Sequence, residues 1–162
     1  MKNGRMFQDF HPIHCAPSGI IAANEDMFNG DPATDIINLA EYGSIIFFVI
    51  LNANAGSGAA TITVESCDTV VPGTATAVAF KYWSCTTPDV WSDMTAATSA
   101  GFSASGSDNM YAIEISAEAL YSTDAFVRIQ CTETQSDAVD GAIMCIAGRG
   151  RYTHEVQGTA LV

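Results

Sequence analysis

SIIFFVILNANAGSGAATITVESCD, residues 44–68, holds the longest apolar run of the chain, a glycine-rich stretch and a cleanly alternating segment, and the fold class follows from reading these three in turn. Residues 45–51 are all apolar, too short a run to cross a bilayer and rich in β-branched and aromatic side chains. They predict a strand covered on both faces. Residues 52–60, with Gly56, Ser57 and Gly58, predict a chain reversal. Residues 61–67 alternate, with Ile62 and Val64 to one side and Thr61, Thr63 and Glu65 to the other, which predicts a strand with one core face and one wet face. Read together, the three segments predict a central β-hairpin.

Outward from this stretch, short strands recur between turn signals. Residues 20–23 and 35–39 precede it, and residues 78–85, 110–116, 126–133 and 142–147 follow, with residues 91–94 as an edge strand. Tyr111, Ile113 and Ile115 are expected to point inward, as are Val127, Ile129 and Cys131, and these two strands are expected to pair across residues 117–125. Residues 95–109, rich in Ala, Ser and Gly, read as a loop. About eight short strands with turns between them predict an all-β chain, an antiparallel β-sandwich, with the jelly roll as one form of it.

The composition, 48% hydrophobic and 15% charged over 162 residues, suits one domain with a buried core and excludes a disordered chain. The net charge of −12 is unevenly spread. Residues 6–148 hold two bases, Lys81 and Arg128, against 17 of the 18 acids, a net of −15, while Lys2, Arg5, Arg149 and Arg151 lie near the ends. A body this acidic repels nucleic acid and anionic membrane surfaces, so neither is expected as a partner. Acid serving solubility alone is the plain alternative. Residues 1–18, with Pro12 and Pro17, and residues 149–162 lack a core-forming period. They are expected as extended arms flanking a sandwich domain, residues 19–148, with their basic side chains on neighbouring subunits.

Cys15, Cys67, Cys85, Cys131 and Cys145 are odd in number and widely spaced, without a C-x-x-C pair. They predict free, mostly buried thiols and folding in a reducing cytoplasm, and no zinc site. His11, His14 and Cys15 form a small cluster that a chance grouping in an arm explains better than a metal site. The loop 24–35 collects acidic and amide oxygens around Asn29-Gly30-Asp31-Pro32 but lacks EF-hand spacing, so a surface turn is expected over a Ca²⁺ site. Glu65, Glu114 and Glu133 sit at outward strand positions, where a glycosidase carboxylate pair and an ordinary solvated face look alike. No nucleophile elbow, phosphate loop or zinc-protease motif occurs. No catalytic residue, cofactor or metal is expected.

Tyr82, Trp83 and Trp91 form the one aromatic cluster. Adjacent strand residues point to opposite faces, so Tyr82 or Trp83 must face outward, toward a protein contact or a sugar ring. The order of features also resembles small β-sandwich decoration proteins of tailed bacteriophages. The resemblance rests on Asn29-Gly30 before Asp35-Ile36-Ile37-Asn38-Leu39, then Tyr42–Val49, Thr61–Asp68, Trp91-Ser92-Asp93-Met94 and Phe126-Val127-Arg128-Ile129. It implies a virion surface protein, made in the host cytoplasm, that binds the major capsid protein and stabilises the head, as a homo-oligomer with a trimer among its forms. Lys2, Arg5, Tyr82, Trp83, Trp91, Arg149 and Arg151 are the candidate interface residues. A carbohydrate- or receptor-binding module is the alternative.

Overall fold

The computed structural model describes residues 10–15, 26–40, 42–52 and 57–150. They form two antiparallel sheets packed face to face. The strands, in chain order, are β1 (Phe10–His14), β2 (Ile37–Asn38), β3 (Tyr42–Leu51), β4 (Ala59–Cys67), β5 (Ala75–Val78), β6 (Phe80–Thr87), β7 (Val90–Trp91), β8 (Thr95–Ala97), β9 (Phe102–Ser105), β10 (Met110–Ser116), β11 (Phe126–Gln135) and β12 (Gly141–Gly150). One sheet runs β1-β12-β3-β10-β6-β7, with β8 also on β6; the other runs β2-β11-β4-β5, with β9 also on β4. The helical content of the described residues is one short 3₁₀ turn at Ala117–Ala119, capped by the Ser116 side chain. The antiparallel β-sandwich is therefore as the alternation predicts.

The core fills the space between the sheets by period-two patterning. Ile45, Phe47, Val49 and Leu51 of β3 and Ile113 and Ile115 of β10 face Ile62 and Val64 of β4 and Val127, Ile129 and Cys131 of β11, all at 2% exposure or less. Burying each such side chain contributes roughly 1.5–3 kcal/mol. Polar groups that the core encloses are paired. Thr34 accepts from the Ile129 amide at 3.0 Å, and Ser66 donates to Asp124 at 2.6 Å while accepting from the Tyr121 amide.

The expected central hairpin is not formed. Both of its strands exist, but β3 pairs β10 and β12 in one sheet, and β4 pairs β11, β5 and β9 in the other. Both hydrogen-bonding edges of β3 are taken by β10 and β12, which leaves none for β4, and β4 begins at Ala59 in the other sheet. The expected pairing of β10 with β11 fails in the same way, since residues 117–125 also cross between the layers. The strand expected over residues 78–85 splits at exposed Ala79, with Val78 closing β5 in one sheet and Phe80 opening β6 in the other. Alternation continues unbroken through that corner, so the pattern carries no sign of it.

Two further readings change. Residues 95–109 are not simply a loop: they contain β8 and β9, where Phe102 and Ala104 point inward while β9 pairs the edge of β4. Tertiary pairing overrides weak strand propensity here. Residues 10–14, expected within an extended arm, form edge strand β1 against β12. Pro12 fits because an edge strand tolerates a missing amide. The strand expected at residues 20–23 lies outside the described residues.

Candidate functional site

The two sheets present opposite chemistry to the outside. The outer face of the β4 sheet is polar, with Thr61, Thr63 and Glu65 beside Thr132, Gln130 and Arg128 of β11. The Arg128 guanidinium pairs with Glu65 at 2.7 Å there. The outer face of the β3 sheet is apolar. Strand alternation turns Ile46, Phe48 and Ile50 of β3 away from the core, where they are half-buried. The register sets Ile146, Met144 and Ala142 of β12 on one side of them, and Glu114, Ala112 and Met110 of β10 on the other. Trp83 of β6 lies beyond Ala112, with Lys81 and Cys85 before and after it, and Trp91 of β7 lies opposite Cys85. At the opposite edge, β1 adds Phe10, Pro12 and the exposed His14, which lies opposite Met144.

Charge is almost absent from this face. Its charged side chains among the described residues are Lys81 and Glu114, cross-strand neighbours of opposite sign. Toward one end the apolar floor dips into a hollow of about 550 Å³, bounded by Ile50, Met110, Ala142 and Cys85 below and by Asp89, Asp108 and Asp140 on the loops around it. The same end carries exposed apolar side chains at the sheet edge, Val90 at 60%, Trp91 at 39% and Met94 at 49%.

Of the sequence candidates, Trp83 and Trp91 belong to this face. Tyr82 does not: it turns inward and stacks on Phe102 of the facing sheet, with ring centroids 4.1 Å apart and planes 8° from parallel. Lys2, Arg5 and Arg151 lie outside the described residues, and of Arg149 only the backbone, in β12, is described. The members the sequence reading omitted are Ile46, Phe48, Ile50, Met110, Met144 and Ile146. Their signal was present in the two unbroken apolar runs, residues 45–51 and 142–147. The first is expected to be a strand covered on both faces; its outer residues Ile46, Phe48 and Ile50 are half-buried, less covered than Ile45, Phe47, Val49 and Leu51 on its inner side.

Elsewhere among the described residues, the glutamates and imidazoles singled out in the sequence lie apart from one another. Glu65 and Glu114 lie on opposite outer faces, so they cannot flank one bond. Glu133 sits near Asp26 and Asp31; partial desolvation and those two carboxylates raise its pKa above the usual range. Asp26 and Asp31 are engaged in holding the loop, accepting from the amides of Phe28 at 3.0 Å and Glu133 at 2.7 Å. His11 meets the Tyr42 hydroxyl at 2.9 Å, while His14 occupies the other face of β1. No group of three or more His, Cys, Asp or Glu side chains that could hold a metal occurs among the described residues. All five cysteines are free and buried. Burial pushes Cys131 up to about 12 and, against the pull of Arg128, Cys67 to about 11. The hydrogen bond with Cys15, and then burial, raises Cys145 further. No described helix is long and apolar enough to cross a membrane.

These features define a β-sandwich with one wet and one apolar outer face. Compared with known families, curated proteins and solved structures, the chain matches none.

Proposed function

We propose that this chain is a structural adhesion protein, and more specifically a decoration protein of a tailed-phage head that binds the major capsid protein and stabilises the shell. The observation that carries adhesion is the contrast between the outer faces. A contiguous apolar patch with a polar rim is costly to leave in water and is the usual mark of a protein contact. The finer assignment draws on the resemblance and on strand order. Strands β1, β12, β3 and β10 lie side by side in one sheet and β2, β11, β4 and β9 in the other. We read that order as a jelly roll with β5 to β8 inserted, an architecture shared by viral capsid and lectin domains. This last step is analogy of fold.

On this reading the acidic body is repelled at long range by any acidic shell, so short-range burial must hold the protein in place, multiplied over symmetric copies. The test is release from purified particles across a salt series for wild type, Trp83→Ala and Trp91→Ala. Wild type is expected to stay bound at high salt, and each truncation to cost about 2 kcal/mol or more. If wild type leaves at moderate salt while both variants hold equally well, attachment is electrostatic through Lys2, Arg5, Arg149 and Arg151, and the apolar reading fails. Binding of wild type to a glycan array instead of to particles would favour the carbohydrate-binding alternative.

A further inference from the structure

Resting on the adhesive reading of the β3 sheet, we infer that the centre of its outer face, around Phe48, pairs with the same face of a second copy of this chain. Electrostatics is the first argument. Two chains of net charge −12 repel one another, and their acids crowd the loops and the other sheet. The β3-sheet face carries one Lys and one Glu side by side, and Asp89, Asp108 and Asp140 stand on the loops at one end of it, so its apolar centre is where like-charged copies can approach with few acids between them.

Area is the second argument. Five strands from β1 to β6, about 4.8 Å apart, and seven residues along β3, at about 3.4 Å each, give a field about 24 Å by about 20 Å, close to 500 Å² in plan. Side-chain relief raises the accessible area toward the about 800 Å² per partner that a stable interface buries. The field is thus of the order of a small dimer interface.

Symmetry is the third. A two-fold axis lying in the interface and crossing the strands at the level of Met144, Phe48, Ala112 and Trp83 lays each strand antiparallel over its own copy. Each Ile46 then covers the other copy's Ile50, and each Lys81, with Glu114 beside it, approaches the Cys85 and Met110 end, where Asp89 and Asp108 border the hollow. Such a contact is isologous and closes at two copies, with the sheets stacked at the usual spacing and twist. Trp83 is covered in this dimer, so Trp83→Ala acts on particle release through the pairing of copies, while the β7 edge, with Val90, Trp91 and Met94, stays outside it and free for the capsid contact.

The experiment is sedimentation of the full chain over a concentration series at low and high salt. Wild type is expected to move from one chain of 17.1 kDa to twice that mass, with tighter association at high salt because screening removes the repulsion between copies. Phe48→Gln and Met144→Lys are each expected to weaken the dimer at least about tenfold, the loss of a central apolar contact. Thr63→Lys, on the polar face of the other sheet, should leave it unchanged. Circular dichroism confirms that each variant is folded, and the two independent variants guard against one failing to fold. A wild type that stays monomeric at the highest concentration at both salts overturns the inference. So does a three-chain species, which this axis cannot build, and so does a dimer that both variants leave intact. Particle binding by the same variants is scored separately. Particle binding by a monomeric wild type would sink the dimer and spare the adhesive function; loss of particle binding by Trp91→Ala with dimerisation intact would support both.

Discussion

Phe47 and Phe48 are neighbours in β3, and their truncation separates the core from the adhesive face. Phe47 is fully enclosed between the sheets, and Phe47→Ala leaves a cavity among Ile113, Ile129 and their neighbours that a close-packed core cannot refill. The expected cost is about 3–5 kcal/mol. At about 2–4 °C per kcal/mol for a chain of this size, the melting temperature should fall by roughly 6–20 °C. Phe48 projects to the outside and is only half-buried, so Phe48→Ala opens no closed cavity. It should cost about 1 kcal/mol or less, or roughly 2–4 °C. The assay is thermal unfolding by circular dichroism at a protein concentration below the onset of association, because a dimer adds its own stability to the folded state. If Phe48→Ala destabilises the dilute chain as much as Phe47→Ala, the outer face is covered within a single chain and the reasoning about an open adhesive face is wrong.

Further outcomes turn on the cysteines, two glycines and Glu133. With pKa values of about 11 for Cys67 and about 12 for Cys131, thiolate at pH 8 is about one part in a thousand and one in ten thousand, so a thiol reagent should label neither until the chain is denatured. Reductant should leave the melting temperature unchanged, and a drop on reduction would reveal a structural disulfide. Gly101→Ala should destabilise by at least about 2 kcal/mol, because φ is 78° and a Cβ would collide with the Ile62 carbonyl oxygen. Gly30→Ala, at the same φ but with nothing within 4 Å, should cost only the backbone strain of about 1 kcal/mol, and equal losses at both positions would contradict the packing of β9 on β4. The raised pKa of Glu133 means that the folded state holds this proton more tightly than the unfolded chain does. Its contribution is therefore favourable below about 4.5 and is lost as pH rises through the folded value. Glu133→Gln should raise the melting temperature at pH 7 and lose that advantage at pH 4, and a gain that persists at pH 4 would point to a cause other than charge.

The sandwich was legible because alternation reports burial directly. Ile62 and Val64, Tyr111, Ile113 and Ile115, and Val127, Ile129 and Cys131 all turn inward as their spacing indicates. Partners were not legible, since alternation states which side chain is buried but not which edge is bonded. That is why β3 and β4, adjacent in sequence and each well formed, were read as a hairpin and lie in different sheets. The same limit hid the corner at Ala79, where the pattern passes from one sheet to the other without a break. The candidate face was half legible. Trp83 stands out because it neighbours Tyr82 in a strand and one of the two must face outward, whereas Phe48 and Met144 sit in runs whose continuous apolarity fits an interior strand and an uncovered adhesive strand equally well.

The account stands most directly on whether the outer face of the β3 sheet is buried when the protein is assembled. Hydroxyl-radical footprinting reads this at Met110, Met144 and Trp83, three oxidisable side chains on that face. The account predicts oxidation in the dilute single chain and strong protection in the assembled state, with exposed Tyr121, away from that face, modified equally in both. Equal oxidation of Met110, Met144 and Trp83 in the dilute and assembled states would contradict it.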